Sequence, residues 1–161
     1  MPEKFQMPAL MFTFVVNSIG TESSRYPVSI GIAGSSQQLW HRLITPEESW
    51  STRDEVAEAL MDITHQDLLA QGKSAAQLCL ELNQIFEGQQ LLTENLGQVE
   101  MINQIFEAAG QGMTFSVRHI DEVMSKEEAL AVVKSIALED RTYKADQDAK
   151  TLRDVIVLHF T

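Results

Sequence analysis

Leu10-Met11-Phe12-Thr13-Phe14-Val15-Val16, then Pro27-Val28-Ser29-Ile30-Gly31-Ile32-Ala33, then Leu39-Trp40-His41-Arg42-Leu43-Ile44 are the three stretches whose reading decides the fold. The first is an apolar run of the kind a strand needs when both its faces are covered, and the second alternates Val28, Ile30 and Ile32 against Ser29 and Gly31. Short polar connections, Gly20 to Arg25 and Gly34 to Gln38, join them. Connections of that length suit hairpins, so the three strands are expected to form an antiparallel meander.

Beyond this meander the apolar period changes from strand to helix. Ser74 with Gln77 reads as a capping box, followed by a stripe of Ala75, Leu78, Cys79, Leu82, Ile85 and Phe86 that Gly88 stops. Leu91 to Thr93 is a short strand. Asn95 with Gln98 opens a second helix, whose stripe of Val99, Ile102, Ile105, Phe106 and Ala109 runs to Gly110, and Phe115 with Val117 suggests a fifth strand. Ser125 with Glu128 starts a helix reaching about Glu139, and Asp146 to about His159 is the last, with Ala149, Leu152, Val155 and Ile156 inward. The class that follows is α/β: a mixed five-stranded sheet, its first three strands antiparallel, flanked by helices. No repeat, low-complexity tract or linker interrupts the 161 residues, so residues 1–161 are expected to form one domain.

Composition narrows the function classes. Hydrophobic residues at 44% and charged residues at 22% describe an ordinary globular chain. Met7 to Val16 is too short to span a bilayer, and Asn17-Ser18-Ile19-Gly20 is a poor cleavage site, so the segment reads as a buried strand and no membrane association is expected. The lone Cys79 sits in a helical apolar stripe; it reads as a small buried hydrophobe and suits a reducing, cytoplasmic setting. The four histidines show no zinc-ligand spacing, and no glycine-rich phosphate loop or nucleophile elbow is present.

The formal net charge of -11 argues against polyanions, because nucleic-acid surfaces work by neutralising phosphates with Lys and Arg. The acidity is uneven: residues 1–117 carry 5 basic and 14 acidic side chains, and residues 118–161 carry 7 and 9. An anion-facing patch belongs in the C-terminal third. Lys144, Lys150 and Arg153 lie there, and they read as a solvated face pairing with Asp146 and Asp154. Trp40 and Trp50, flanking the turn at Pro46, read as covers over one end of the core.

Several words in the sequence resemble those of the DEDDh-type 3′-5′ exonucleases. Tyr26-Pro27-Val28-Ser29-Ile30-Gly31-Ile32-Ala33 is similar to their second strand, and Leu43-Ile44-Thr45-Pro46-Glu47 to the end of their third. Ile63-Thr64-His65-Gln66-Asp67-Leu68 followed by Gly72-Lys73-Ser74 resembles their stretch H-G-I-T-x-x-x-L…G-x-S, with Met61-Asp62 in place of the His-Gly. Phe106-Glu107-Ala108-Ala109-Gly110 suits the end of the helix after the fourth strand. Tyr143-Lys144-Ala145-Asp146-Gln147-Asp148-Ala149 matches the spacing of H-x-A-x-x-D-A except at its first position. In order, these words cover nearly the whole chain, and the resemblance implies a ribonuclease H-like fold.

The resemblance also implies a chemistry: four carboxylates hold two divalent cations that clamp the scissile phosphate, and a His activates water. Counting back from Tyr26-Pro27, the D-x-E of the first strand falls on Val15 and Asn17; a slip of two places it on Asn17 and Ile19. Valine offers no ligand, and Asn keeps only a neutral carbonyl oxygen. The third acid, four residues after Asn95, falls on Val99, with Glu100 beside it but about 100° away around the helix. The fourth matches Asp148, the one acid retained, and the His position holds Tyr143, whose phenol is a poor base at neutral pH. The expectation is an exonuclease-like protein that does not cut: no catalytic residue, no metal, and a binding or scaffolding role toward an unknown protein or a second copy of itself. Nucleic acid is a further partner class, disfavoured by the charge. The alternative is a Mg²⁺- or Mn²⁺-dependent exonuclease whose rearranged site uses Asp148, Glu100 and, in addition, Glu94 or Glu22.

Overall fold

The expected meander is present. A computed structural model of the chain describes residues 10–160, in which β1 (Phe12–Ile19), β2 (Tyr26–Gly34) and β3 (Leu39–Leu43) pair antiparallel in sequence order. Two further strands, β4 (Gln90–Thr93) and β5 (Ser116–His119), add in parallel on the other side of β1, giving one sheet in the order β3-β2-β1-β4-β5. The sheet is mixed because β1 pairs antiparallel with β2 and parallel with β4.

β1 begins two residues later than the apolar run and continues through the polar Asn17 and Ser18 to Ile19. These extra residues pair because β2 extends back to Tyr26; the register shifts between Asn17 and Ser18, where the partner is Pro27, which has no N–H to donate. Met7 to Ala9 of the apolar segment lie outside the described residues.

Six α-helices flank the sheet among the described residues. Four are the expected ones: α3 (Ala75–Phe86), α4 (Leu96–Ala109), α5 (Lys126–Ala137) and α6 (Ala145–Phe160). Ser74 and Ser125 close the capping boxes read from the sequence, with Gln77 and Glu128. Asn95 also caps α4, but its oxygen takes the N–H of Gly97 and Gln98 does not complete a box. Two seven-residue helices, α1 (Glu55–Met61) and α2 (His65–Gln71), were not expected. Each is too short to show an apolar stripe, although Thr64 and Asp67 form a capping box before α2. Ile85, placed in the core stripe of α3 by its spacing, is exposed. None of the described helices is long and apolar enough to cross a membrane.

The alternation of β1 distributes its side chains between two layers. Phe12, Phe14 and Val16 join Ile30, Ile32 and Leu91 under α3 and α4 in the main core. Each fully buried Phe, Ile or Leu there contributes about 1.5–3 kcal/mol by leaving water. Met11 packs with α5 and α6, and Val15 packs with Ala33 against Ala145 and Ala149 of α6. Thr13 is tied to the same helix, its hydroxyl donating to the carbonyl of Ala149 at 2.7 Å. Thus Val15 and Asn17, two residues apart, both face the side of the sheet that α6 covers.

The start of α6 presses on β2 at Gly31, the residue paired with Val15. A Cβ at Gly31 would fall well within 3.0 Å of backbone atoms of Ala145 and Asp146, so this close approach needs a residue with no side chain. The contact fixes the depth at which the segment before α6, and Asp148 within its first turns, meets the sheet.

Candidate functional site

At the end of β1 a small pocket, about 150 Å³, opens between the sheet, the start of α4 and the start of α6. Val15, Glu94, Asn95, Gln98, Arg141 and Asp148 line it. Of the positions assigned from sequence, the fold brings Val15 and Asp148 to this pocket and Asn17 beside it, while Ile19 is buried elsewhere with Tyr26 and Val28. Val15 and Asn17 thus lie at or beside the pocket, and Ile19 lies away from it.

Val99 and Glu100 do not reach the pocket. Val99 packs against the main core, and Glu100 is exposed on the outer face of α4. Gln98 reaches the site instead: its side-chain oxygen accepts the backbone N–H of Val16 on β1. The sequence assigned Gln98 to a cap, so its role as a bridge from α4 to β1 was missed. Glu94 does line the pocket, and burial pushes its carboxyl above the usual range, opposed by the nearby charges of His119 and Arg141. The side chain of Glu22 lies outside the described residues.

Arg141, which no sequence signal singled out, organises the centre. Its Nη2 donates to Asn17 Oδ1 at 3.2 Å and its Nε lies 3.8 Å from Asp148 Oδ2. Its guanidinium carbon sits 4.6 Å from the centre of the Tyr143 ring, within the range of a cation–π contact. Asn17 is 1% exposed, and its amide is used at both ends, since Nδ2 donates to the Tyr143 carbonyl at 3.0 Å. Asp148 is equally committed. Its Oδ1 accepts from the backbone N–H of Thr142 at 2.9 Å and from the Thr142 hydroxyl at 2.8 Å, while Oδ2 has no hydrogen-bond partner and faces Arg141.

Tyr143 meets this centre through its backbone. It adopts a left-handed backbone with φ 59°, so its carbonyl, not its phenol, meets Asn17. Its ring lines a separate depression with His41, Asp62 and Lys144. One ring face is already covered by Arg141, which leaves the ring poorly placed to stack a base inside the Asp148 pocket.

The cations near α6 are also more specific than a solvated face. Lys150 pairs with Asp154 at 2.9 Å as expected, but Lys144 donates to the Met61 carbonyl at 2.9 Å. Arg153 is 3% exposed and donates to the Gly34 carbonyl at 3.2 Å as well as to Asp154. Trp50 stacks on Tyr26 at 5.9 Å and Trp40 meets Phe86 edge-on at 6.1 Å, so both cover the core.

The donor set does not suit a pair of divalent cations. The two β1 positions offer an isopropyl group and a neutral amide already hydrogen-bonded twice, a guanidinium stands against Asp148, and the other acids of the lining are Glu94, Glu139 and Asp140. Among the described residues no group of three or more His, Cys, Asp or Glu side chains converges as metal ligands would.

No family model and no curated protein matches this chain. Solved structures do match: E. coli exonuclease I in complex with a dT13 oligonucleotide aligns with a TM-score of 0.68 at 13% identity over 94% of this chain and 41% of that one. The same enzyme with a dA16 oligonucleotide gives 0.65 at 12% identity, covering 91% and 40%, and a moderately thermophilic exonuclease I from Methylocaldum szegediense gives 0.57 at 11%, covering 91% and 36%. The chain thus spans about two-fifths of the length of the E. coli structures. Together with the strand order and the helical layers, these matches show that the described residues have the ribonuclease H-like fold of those exonucleases.

Proposed function

We propose that this chain is a ribonuclease H-like binding module in which the exonuclease chemistry has been lost, with Val15, Asn17 and Tyr143 standing at former active-site positions and Asp148 as the retained acid. The observation that carries this reading is Arg141. Its side chain supplies a positive charge between Asp148 and Asn17, where the resemblance calls for metal ions held by acids. A resident guanidinium and a doubly charged ion cannot share that space without strong repulsion, about 4 kcal/mol or more for unit charges 4 Å apart near a protein surface. Asp148, bound to Thr142 and facing Arg141, then serves to fix the loop before α6. With neither a metal nor a general base, water is not activated.

What supports a ligand, rather than a relic, is the open pocket beside β1 and the likeness of the fold to enzymes solved in complex with oligonucleotides. The test is incubation with Mg²⁺ or Mn²⁺ and end-labelled single-stranded DNA or RNA, beside an Asp148→Ala control. The expected result is no shortening in either protein and no heat on calorimetric titration with Mn²⁺. Stepwise 3′ shortening that disappears in Asp148→Ala would overturn the proposal in favour of a rearranged metal site, for which Glu94, Glu139 and Asp140, and not Glu100, are the acids that line the same pocket as Asp148.

A further inference from the structure

Beside the Asp148 pocket, and sharing Arg141 and Gln98 with it, lies a second cavity of about 280 Å³ lined by Ser18, Gly20, Arg25, Gly97, Gln98 and Arg141 among others. We propose that this cavity takes a phosphate group, gripped by the guanidinium groups of Arg25 and Arg141 without a metal ion. The inference rests on the non-hydrolytic reading above, because it needs Arg141 to remain in the site.

Charge is the first argument. The chain carries 23 acidic and 12 basic side chains, yet among the described residues no Asp or Glu lines this cavity while two arginines do. Elsewhere the arginines are paired: Arg42 with Glu81, Arg53 with Glu58, Arg118 with Glu122 and Arg153 with Asp154. Arg25 is the exception, its guanidinium making no hydrogen bond or ion pair among the described residues. Arg141 spends Nε and Nη2 on Asp148 and Asn17, and its Nη1 has no partner among the described residues.

The position of Arg25 sharpens the argument. Its Nη1 lies 3.8 Å from where a Cβ on Gly97 would stand, against the first turn of α4. That end of a helix carries positive partial charge, so a cation there is unfavourable on its own. A second guanidinium on the same cavity adds to the repulsion. An anion between them reverses the sign of every one of these interactions. Phosphate fits better than carboxylate, because one guanidinium fork satisfies both oxygens of a carboxylate, whereas a phosphate offers enough oxygens for two forks at once.

The experiment uses the ¹⁵N-labelled full chain in EDTA, titrated with inorganic phosphate, thymidine 5′-monophosphate and thymidine. The two phosphate-bearing probes are expected to shift the amides of Gly20 and Gly97, and thymidine is expected not to. Tighter binding of the mononucleotide than of inorganic phosphate would identify the ligand as a nucleotide or strand end; equal binding would identify it as phosphate itself. Arg25→Gln should weaken binding at least about tenfold, as loss of a charge-assisted hydrogen bond does. Arg25→Lys, which keeps the charge but not the fork, should fall between them. Lys134→Gln on α5 controls for the change in net charge, and an unaltered amide spectrum remote from the cavity shows that each variant is folded. Absence of shifts at tens of millimolar phosphate, or equal weakening in Lys134→Gln, overturns the inference. An inactive protein that ignores phosphate sinks only this pocket, whereas metal-dependent shortening of DNA sinks the reading beneath it.

Discussion

Replacing Gly31 with alanine tests how the fold positions the site. The added Cβ would lie within 3.0 Å of backbone atoms of both Ala145 and Asp146, where ordinary contact is 3.4–4 Å. No rotamer change relieves a clash with backbone, so the first turn of α6 must retreat from β2. Retreat loosens the packing of Ala145 and Ala149 on Val15 and Ala33 and stretches the bond from Thr13 to the Ala149 carbonyl. Overpacking of a rigid core typically costs 1–3 kcal/mol, and the loss here should reach about 3 kcal/mol. For a domain of this size that lowers Tm by about 6–12 °C. Urea and thermal unfolding of Gly31→Ala would be read against Gly112→Ala, where nothing lies within 4 Å of the added carbon. Equal stability of the two variants would refute the claim that α6 is seated on Gly31. The same displacement should move the Thr142 amide resonance, because that N–H donates to Asp148.

Asn17→Ala removes a 1%-exposed amide used as both donor and acceptor, and should lose about 1–3 kcal/mol in urea unfolding while freeing the Arg141 side chain, visible in its Nε resonance. Burial raises the Glu94 carboxyl, so its neutral form is favoured in the folded state; the stability it contributes is full at acid pH and is lost as pH rises through its raised value. Glu94→Gln should therefore gain stability relative to the parent at about pH 7 but not at about pH 4, as unfolding curves at the two values would show. The Cys79 thiol is fully buried and pushed up to about 12. Alkylation by iodoacetamide at neutral pH should accordingly be absent in the native protein and complete in urea.

Much of the fold was legible because local signals agreed with tertiary demand. Val28, Ile30 and Ile32 alternate on a strand covered on both faces, and Ser74 and Ser125 open helices whose stripes are long enough to define a face. α1 and α2 escaped because one or two buried apolar residues per helix, Met61 and Leu68, make no periodic pattern. At the site, the proximity of Val15, Asn17 and Asp148 could be anticipated since their spacing from Tyr26-Pro27 and Ala145 is local. Arg141 could not. In Glu139-Asp140-Arg141-Thr142-Tyr143 it reads as one charge in a polar loop, and its meaning comes from Asn17, 124 residues away. Gln98 misled in the opposite way, because a capping position three residues after Asn95 was a sufficient local explanation for a side chain that the sheet recruits.

A dissociable ion can be removed by a chelator, diluted below its affinity, or exchanged for a poorer one. The guanidinium of Arg141 is part of the polypeptide, so none of those manipulations reaches it. On the metal-free reading proposed above, the electrostatics of the cleft are set when the chain is synthesised, and whatever occupies it should do so with the same strength whether magnesium is plentiful or scarce.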